Sequence, residues 1–135
     1  MNAWCRKYIG KPFAEFHSGP DAYDCWGLVT DVYRNELGLE LPSYAISAAC
    51  TGEVNEKINE RLGTSDWLEV DPPNKLDIVL MALDVHRPGI TNHAAVYAGS
   101  GTCLHVTLKT GVIISDLSHH KWNSRITGFY KWQIS

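Results

Sequence analysis

Cys25 stands directly after Asp24 and at the start of a segment with the apolar spacing of a helix, CWGLVTDVYRNELG. A thiol becomes a nucleophile when it ionises, and a helix N-terminus and a neighbouring imidazole both favour the thiolate. The unpaired backbone N–H groups of a first helical turn could also stabilise the oxyanion formed when a thiolate attacks a carbonyl. Cys25 is therefore a candidate nucleophile for acyl transfer. The alternative is a buried structural thiol, the commoner role of an isolated cysteine.

Two of the six histidines fall where a predicted hairpin would bring them together. His93 opens the segment HAAVYA, and His105 lies in CLHVTL, across the turn AGSGT. If residues 99–101 form a three-residue loop, His93 opposes Thr107 and His105 opposes Ala95, so the imidazoles are diagonal neighbours on one face. A two-residue loop would send His105 to the other face. The glycine that ends GSG suits the left-handed position of a three-residue loop, which favours the first register.

This register predicts a catalytic group of three residues. Cys25 attacks a carbonyl, His93 takes and returns the proton, and His105 fixes the tautomer and orientation of His93. A neutral third residue orients the base without the charge stabilisation that a carboxylate would add. By position alone, Asp24, Trp26 and Ser100 are predicted substrate contacts, and Asp24 is also a predicted helix N-cap.

The elements that must hold these residues form an α+β pattern. The helix that follows Asp24 ends at Gly38, a natural C-cap, and a less regular helix is predicted around residues 52–62. After Pro73 come five short β-like runs, and DLSHHKWNSR forms a short helical or looped crossover before the last of them. The runs are LDIVLMAL, HAAVYA, CLHVTL, GVIIS and ITGFYKWQI. We predict an N-terminal helix packed on an antiparallel sheet of about five strands.

Composition narrows the class of protein. The 135 residues, 44% of them apolar, predict a single domain over residues 1–135. A net charge of -3 argues against a nucleic-acid partner, and no apolar run is long enough to span a membrane. The N-terminal sequence MNAWCRKYIGKPF has no apolar core of a signal peptide. The four irregularly spaced cysteines are predicted free thiols, and neither a metal nor a cofactor is expected.

Taken together, these segments resemble the NlpC-type cysteine peptidases, a papain-like family that cleaves bacterial cell-wall peptides. YIGKPF and YDCWGLVTDVYRNELGLELP are similar to the family's nucleophile helix and its flanking turns. NKLDIVLMAL is similar to its first strand, and NHAAVYAGSGTCLHV to its histidine strand, hairpin and third-residue strand. The resemblance implies Cys25 as nucleophile, His93 as base and His105 as polar third residue. It also implies hydrolysis of the bond between D-glutamate and the diamino acid of the peptidoglycan stem peptide.

Two positions depart from the pattern of many cellular members. Trp26 stands where those members have serine, and Phe13 stands at the place of a tyrosine. Both positions help to recognise the free amino end of the stem peptide in some members. Trp26 and the segment WNSRITGFYKW look more like the versions carried on phage tails. This likeness implies local wall degradation at a tail tip during DNA entry, other tail proteins as partners, and synthesis in the bacterial cytoplasm without a signal peptide.

Two alternatives stay open. One is a non-catalytic tail-assembly or plug protein of the same fold, which would not need Cys25, His93 and His105 together. The other is a thiol acyltransferase or amidase that acts on another amide or ester. An open polar groove would favour the wall peptide, and a deep apolar tunnel would favour a lipid.

Overall fold

The computed structural model describes residues 3–41, 67–84, 86–87 and 90–133. The helix predicted around residues 52–62 lies outside these residues, as does Cys50. No helix in the described part of the chain is long and apolar enough to span a membrane.

Three helical segments are present in the described ranges. A 3₁₀ helix covers Ala3–Lys7, helix α1 covers Cys25–Leu37, and the single-turn helix α2 covers His120–Asn123 in the predicted crossover.

Both ends of α1 are capped by the residues that the sequence predicts. The Gly27 N–H donates to Asp24 Oδ1 at 2.6 Å, which satisfies one of the unpaired donors of the first turn. Gly38 adopts the left-handed conformation, with φ 65°, and its N–H donates to the carbonyl of Arg34. The helix therefore begins at Cys25 because local chemistry at Asp24 fixes its start.

Six strands of the described residues form one antiparallel sheet, which confirms the predicted α+β fold class and adds one strand. The sequence does not predict strand β1, because three residues are too few to show an alternating pattern and its partner among the described strands, β6, is distant in sequence. Strand β6 does not pair with β5, which precedes it in the chain. It pairs with β2 and β1, which gives the order β1-β6-β2-β3-β4-β5. The strands are β1 Trp67–Glu69, β2 Ile78–Met81, β3 His93–Gly99, β4 Thr102–Thr107, β5 Gly111–Asp116 and β6 Ile126–Trp132.

The two faces of the sheet carry different apolar clusters. Helix α1 packs on β3 and β4, where side chains such as Leu28, Val96 and Leu104 form the larger core. The opposite face carries a smaller cluster that includes Ala95 and Cys103. Because side chains alternate along a strand, His93 and His105 share the face of this smaller cluster.

The hairpin of β3 and β4 has the predicted register. Val96 lies opposite Leu104, and Tyr97 lies opposite Cys103. Continued along the strands, this pairing puts Ala95 opposite His105, so both histidines lie on one face as predicted.

The predicted three-residue loop of this hairpin is wrong. Gly99 pairs with Thr102, which leaves Ser100 and Gly101 as a two-residue turn with φ values of 53° and 75°. The register shifts between Tyr97 and Gly99, where a bulge at Ala98 adds one residue to β3. The bulge offsets the short turn, so His105 keeps its predicted face.

Candidate active site

Cys25 and His93 line one pocket at the end of the sheet where α1 and β3 begin. Cys25 is the first residue of α1, and His93 is the first residue of β3. The pocket encloses about 260 Å³, and exposed Glu15 and Leu108 open it to solvent. Its other walls are Phe13, Leu83, Asn92, Val106 and Thr107.

The loop before α1 fixes the position of Cys25. Besides capping the helix, Asp24 accepts a hydrogen bond at Oδ2 from the Phe16 N–H at 2.8 Å. At Gly27 the loop passes so close that a Cβ atom would lie 2.0 Å from the carbonyl oxygen of His17. Only glycine permits this approach, so Asp24 and Gly27 together fasten the loop to the first turn of α1.

The two histidines form a hydrogen-bonded pair inside the protein. Nε2 of His93 lies 2.9 Å from Nδ1 of His105, and Nε2 of His105 lies 2.7 Å from Oγ of Ser115. His93 is 5% exposed and His105 is completely buried. Because His105 occupies Nε2 of His93, Nδ1 is the nitrogen left to take a proton from a thiol.

Trp122 covers His105 on the sheet face opposite α1. The ring centroids of His105 and Trp122 are 4.7 Å apart with an interplanar angle of 89°, an edge-to-face contact. Lys121 Nζ in turn lies 4.8 Å from the centroid of the Trp122 ring. The crossover helix α2 therefore closes the back of the site.

Burial sets the protonation state of the two reacting groups. It raises the pKa of Cys25 to about 11, and the N–H of Ala94 lowers that pKa by a smaller amount. Burial also lowers the pKa of His93 to about 3, with a smaller contribution from His105. At Cys25 desolvation therefore outweighs the backbone N–H groups of the first turn, which by themselves would lower the pKa as the sequence predicts.

Burial also sets the protonation state of His105. Burial lowers its pKa to about 4, and the positive charge of Lys121 lowers it further. At neutral pH the site therefore holds a thiol and two neutral imidazoles. Such a group can work by general-base catalysis, in which the sulfur loses its proton to His93 as it attacks.

The three predicted substrate contacts are not found in the pocket wall. Both carboxylate oxygens of Asp24 accept backbone hydrogen bonds. Trp26 packs edge-on against Trp67, with ring centroids 6.1 Å apart, and Ser100 lies in the turn at the far end of β3 from His93. None of the three is among the described residues that line the pocket. The structure thus brings together Cys25, His93 and His105, but not Asp24, Trp26 or Ser100 as wall residues.

Sequence reasoning missed Ser115 and Trp122. The signal for Ser115 would be the register of the β4–β5 hairpin. In that register His105 pairs with Ile113, and Ser115, two positions further along β5, shares the face of His105. Trp122 gave no such signal, since its contact depends on where the crossover folds.

The described residues show no site for a metal. They include no group of three or more His, Cys, Asp or Glu side chains that could hold an ion. Cys5, Cys25 and Cys103 are free thiols.

Comparison with known proteins gives one family. The model of the NlpC/P60 family matches residues 10–131. The chain is 32% identical over 127 residues to the gamma-DL-glutamyl hydrolase of Bacillus subtilis (strain 168), a match that covers 93% of this chain and 27% of that protein. It is 30% identical over 103 residues to the murein DD-endopeptidase MepS/murein LD-carboxypeptidase of Escherichia coli (strain K12), covering 76% and 45% of the two. The chain therefore spans less than half the length of these relatives.

Solved structures share the fold. NlpC2 from Trichomonas vaginalis matches with a TM-score of 0.70 and 18% identity, over 97% of this chain and 44% of that one. RipD from Mycobacterium tuberculosis, described as a non-catalytic NlpC/p60 domain protein adapted to peptidoglycan binding, matches with a TM-score of 0.61 and 20% identity, over 98% and 93%. These likenesses confirm the predicted papain-like fold.

Proposed function

The chain belongs to the NlpC/P60 family, and from that premise we propose that it is a cysteine peptidase that hydrolyses the peptides of bacterial peptidoglycan. The observation that carries the proposal is the shared pocket of Cys25 and His93, with His93 held by His105 at 2.9 Å. A purely structural domain needs neither a thiol that opens to a pocket nor a buried imidazole pair.

The first half of the reaction forms a thioester. Cys25 Sγ attacks the carbonyl carbon while His93 Nδ1 takes the thiol proton, and the carbonyl oxygen becomes an oxyanion. Backbone N–H groups at the start of α1 stabilise that oxyanion. When the C–N bond breaks, His93 gives its proton to the departing amine.

The second half restores the enzyme. Water attacks the thioester carbon and gives its proton to His93, the C–S bond breaks, and the proton returns to Cys25. Both proton transfers use Nδ1 of His93, so the ring must keep the tautomer with hydrogen on Nε2. His105 holds that tautomer by accepting the Nε2 hydrogen.

For the bond cleaved, we propose the amide between D-glutamate and the diamino acid of the stem peptide. Support comes from the 32% identity to a gamma-DL-glutamyl hydrolase. The pocket opens to solvent and is not a deep tunnel, which favours a peptide over a lipid, and Glu15 and Asn92 supply polar groups to walls that are otherwise mostly apolar.

We also propose that a phage or phage-like tail carries the domain and degrades the wall locally during DNA entry. Trp26 and the segment of residues 122–132 support this setting through their likeness to tail-borne versions. Mass spectrometry of purified tails tests it, because the peptides of this chain must then occur in them alongside the known tail proteins.

The experiment for the activity uses defined muropeptides and mass spectrometry. Wild-type protein should release a fragment that ends in D-glutamate, and Cys25→Ala should release none above background. Equal products at equal rates from both proteins would refute the catalytic assignment. Binding of peptidoglycan by both proteins without cleavage would instead indicate a non-catalytic role such as that described for RipD.

A further inference from the structure

Ser115 makes a contact that the three-residue catalytic group does not explain. It lies in β5 opposite Cys103, one diagonal step from His105, and is 6% exposed. Its Oγ is 2.7 Å from Nε2 of His105. The chain of hydrogen bonds that links His93 to His105 therefore continues to the buried hydroxyl of Ser115.

The proton positions in this chain of contacts depend on one another. Nδ1 of His93 must be free of hydrogen to accept the thiol proton, so its hydrogen is on Nε2 and is donated to Nδ1 of His105. His105 must then carry its own hydrogen on Nε2, which points to Ser115. The hydroxyl of Ser115 accepts that hydrogen.

The other tautomer of His105 would disable the base. A hydrogen on its Nδ1 would face the Nε2 hydrogen of His93, and two donors would meet across 2.9 Å. His93 would relieve this conflict by moving its hydrogen to Nδ1, the atom that must receive the thiol proton. The hydroxyl of Ser115 can accept the Nε2 hydrogen of His105 or donate to a bare Nε2, so it pairs this nitrogen in either tautomer. Without the hydroxyl, the active tautomer alone would bury an unpaired N–H, which is costly.

We propose that Ser115 is a positioning residue that accepts the Nε2 hydrogen of His105 and so stabilises the active tautomer of His105 and, through it, of His93. The inference rests on the proposed function, because it assigns a task only if His93 is the base. Ser115 is not among the described residues that line the pocket of Cys25 and His93. The edge-to-face contact of Trp122 encloses His105, which is completely buried, so Ser115 supplies the acceptor inside a closed environment.

The test compares Ser115→Thr with Ser115→Val, because the two side chains have nearly the same shape and only threonine keeps the hydroxyl. Long-range ¹H–¹⁵N spectra of the histidine rings report which nitrogen carries hydrogen. Steady-state kinetics on a muropeptide gives kcat and KM. Thr102→Val is the matched control, since Thr102 donates to the Gly99 carbonyl at the opposite end of the hairpin.

We expect Ser115→Thr and Thr102→Val to keep the wild-type spectra and kcat. Ser115→Val should show hydrogen on Nδ1 of His105 and a kcat lowered by about tenfold or more, with KM within about twofold. Ser115→Ala, which is smaller than serine, should behave like the valine variant and excludes a steric cause. Wild-type tautomers and kcat in both hydroxyl-free variants would overturn the proposal.

The spectra separate this inference from the function on which it rests. If wild-type protein cleaves no muropeptide, but its histidine tautomers change in Ser115→Val and not in Ser115→Thr, the proposed function fails and the assignment of Ser115 as the tautomer-setting group stands. If wild-type protein cleaves and the tautomers do not depend on the hydroxyl, only the inference fails.

Discussion

Cys25 and Cys103 are both buried thiols, yet the structure gives them different chemistry. Burial raises the pKa of Cys25 to about 11 and that of Cys103 to about 12. Cys103 is the second residue of β4, two residues from His105 on the same sheet face, and has no exposed surface. Cys25 lines a pocket together with His93. Access and a base, more than thiol acidity, separate a nucleophile from a core residue.

The largest expected effect comes from removing each thiol in turn. Cys25→Ala should lower muropeptide hydrolysis by at least about a thousandfold, because the attacking atom is lost. Cys103→Ala should keep activity within about threefold and lower the free energy of unfolding by about 1–2 kcal/mol, because it leaves a small cavity. Rate assays and urea denaturation check both variants. Similar losses of activity in the two would remove the distinction between the sites.

Removing the base should have the next largest effect. His93→Gln keeps an amide N–H for His105 but cannot take the thiol proton, so kcat should fall about a hundred- to ten-thousandfold. His86→Gln is the control, since His86 lies exposed in a loop. Activity of His93→Gln close to wild type would show that Cys25 does not need this imidazole.

The burial of His93 should also make the free energy of unfolding depend on pH. Burial holds the pKa of His93 at about 3, below its ordinary value of 6.5, so between these values the unfolded chain binds a proton that the folded chain does not. Stability from this group is full above pH 6.5 and falls as the pH decreases towards 3, by about 2 kcal/mol between pH 7 and pH 5.

Urea denaturation at the two pH values measures this loss. The loss should be smaller in His93→Gln by about that amount, whereas Cys103→Ala should show the full wild-type loss. Equal losses in wild type and His93→Gln would mean that His93 is protonated in the folded protein at pH 5.

The smallest expected difference concerns alkylation. Iodoacetamide at neutral pH should label Cys25 faster than Cys5 or Cys103 by about tenfold, because Cys25 alone among these three lines the pocket. Since burial raises its pKa to about 11, the labelling rate of Cys25 should still increase between pH 8 and pH 10. Peptide mapping by mass spectrometry follows each site. A rate independent of pH in that range would indicate a preformed thiolate.

The sequence predicted what local chemistry determines. Asp24 and Gly38 cap α1 as expected, because caps act within a few residues of the helix end. The shared face of His93 and His105 also followed from strand alternation, although the structure reaches it by a bulge at Ala98 instead of a longer loop.

What the sequence did not predict depends on long-range packing. Strand β1 exists because Trp67 pairs with Trp132, and the pocket is completed by Phe13 and Glu15 from a distant loop. The sequence shows that Cys25 lies at a helix start but not the burial that raises its pKa. Ser100 was placed too near the site, since seven residues of extended strand cover about 23 Å.

The central claim is that Cys25 attacks the substrate with the help of His93. A γ-D-glutamyl peptide that carries a chloromethyl ketone in place of the scissile amide tests it most directly, because the nucleophile displaces chloride and keeps the label. We predict one adduct per chain on the peptide that contains Cys25, loss of activity in proportion to labelling, and no adduct on Cys25→Ala. An adduct on another residue, or full activity after complete labelling of Cys25, would contradict the account.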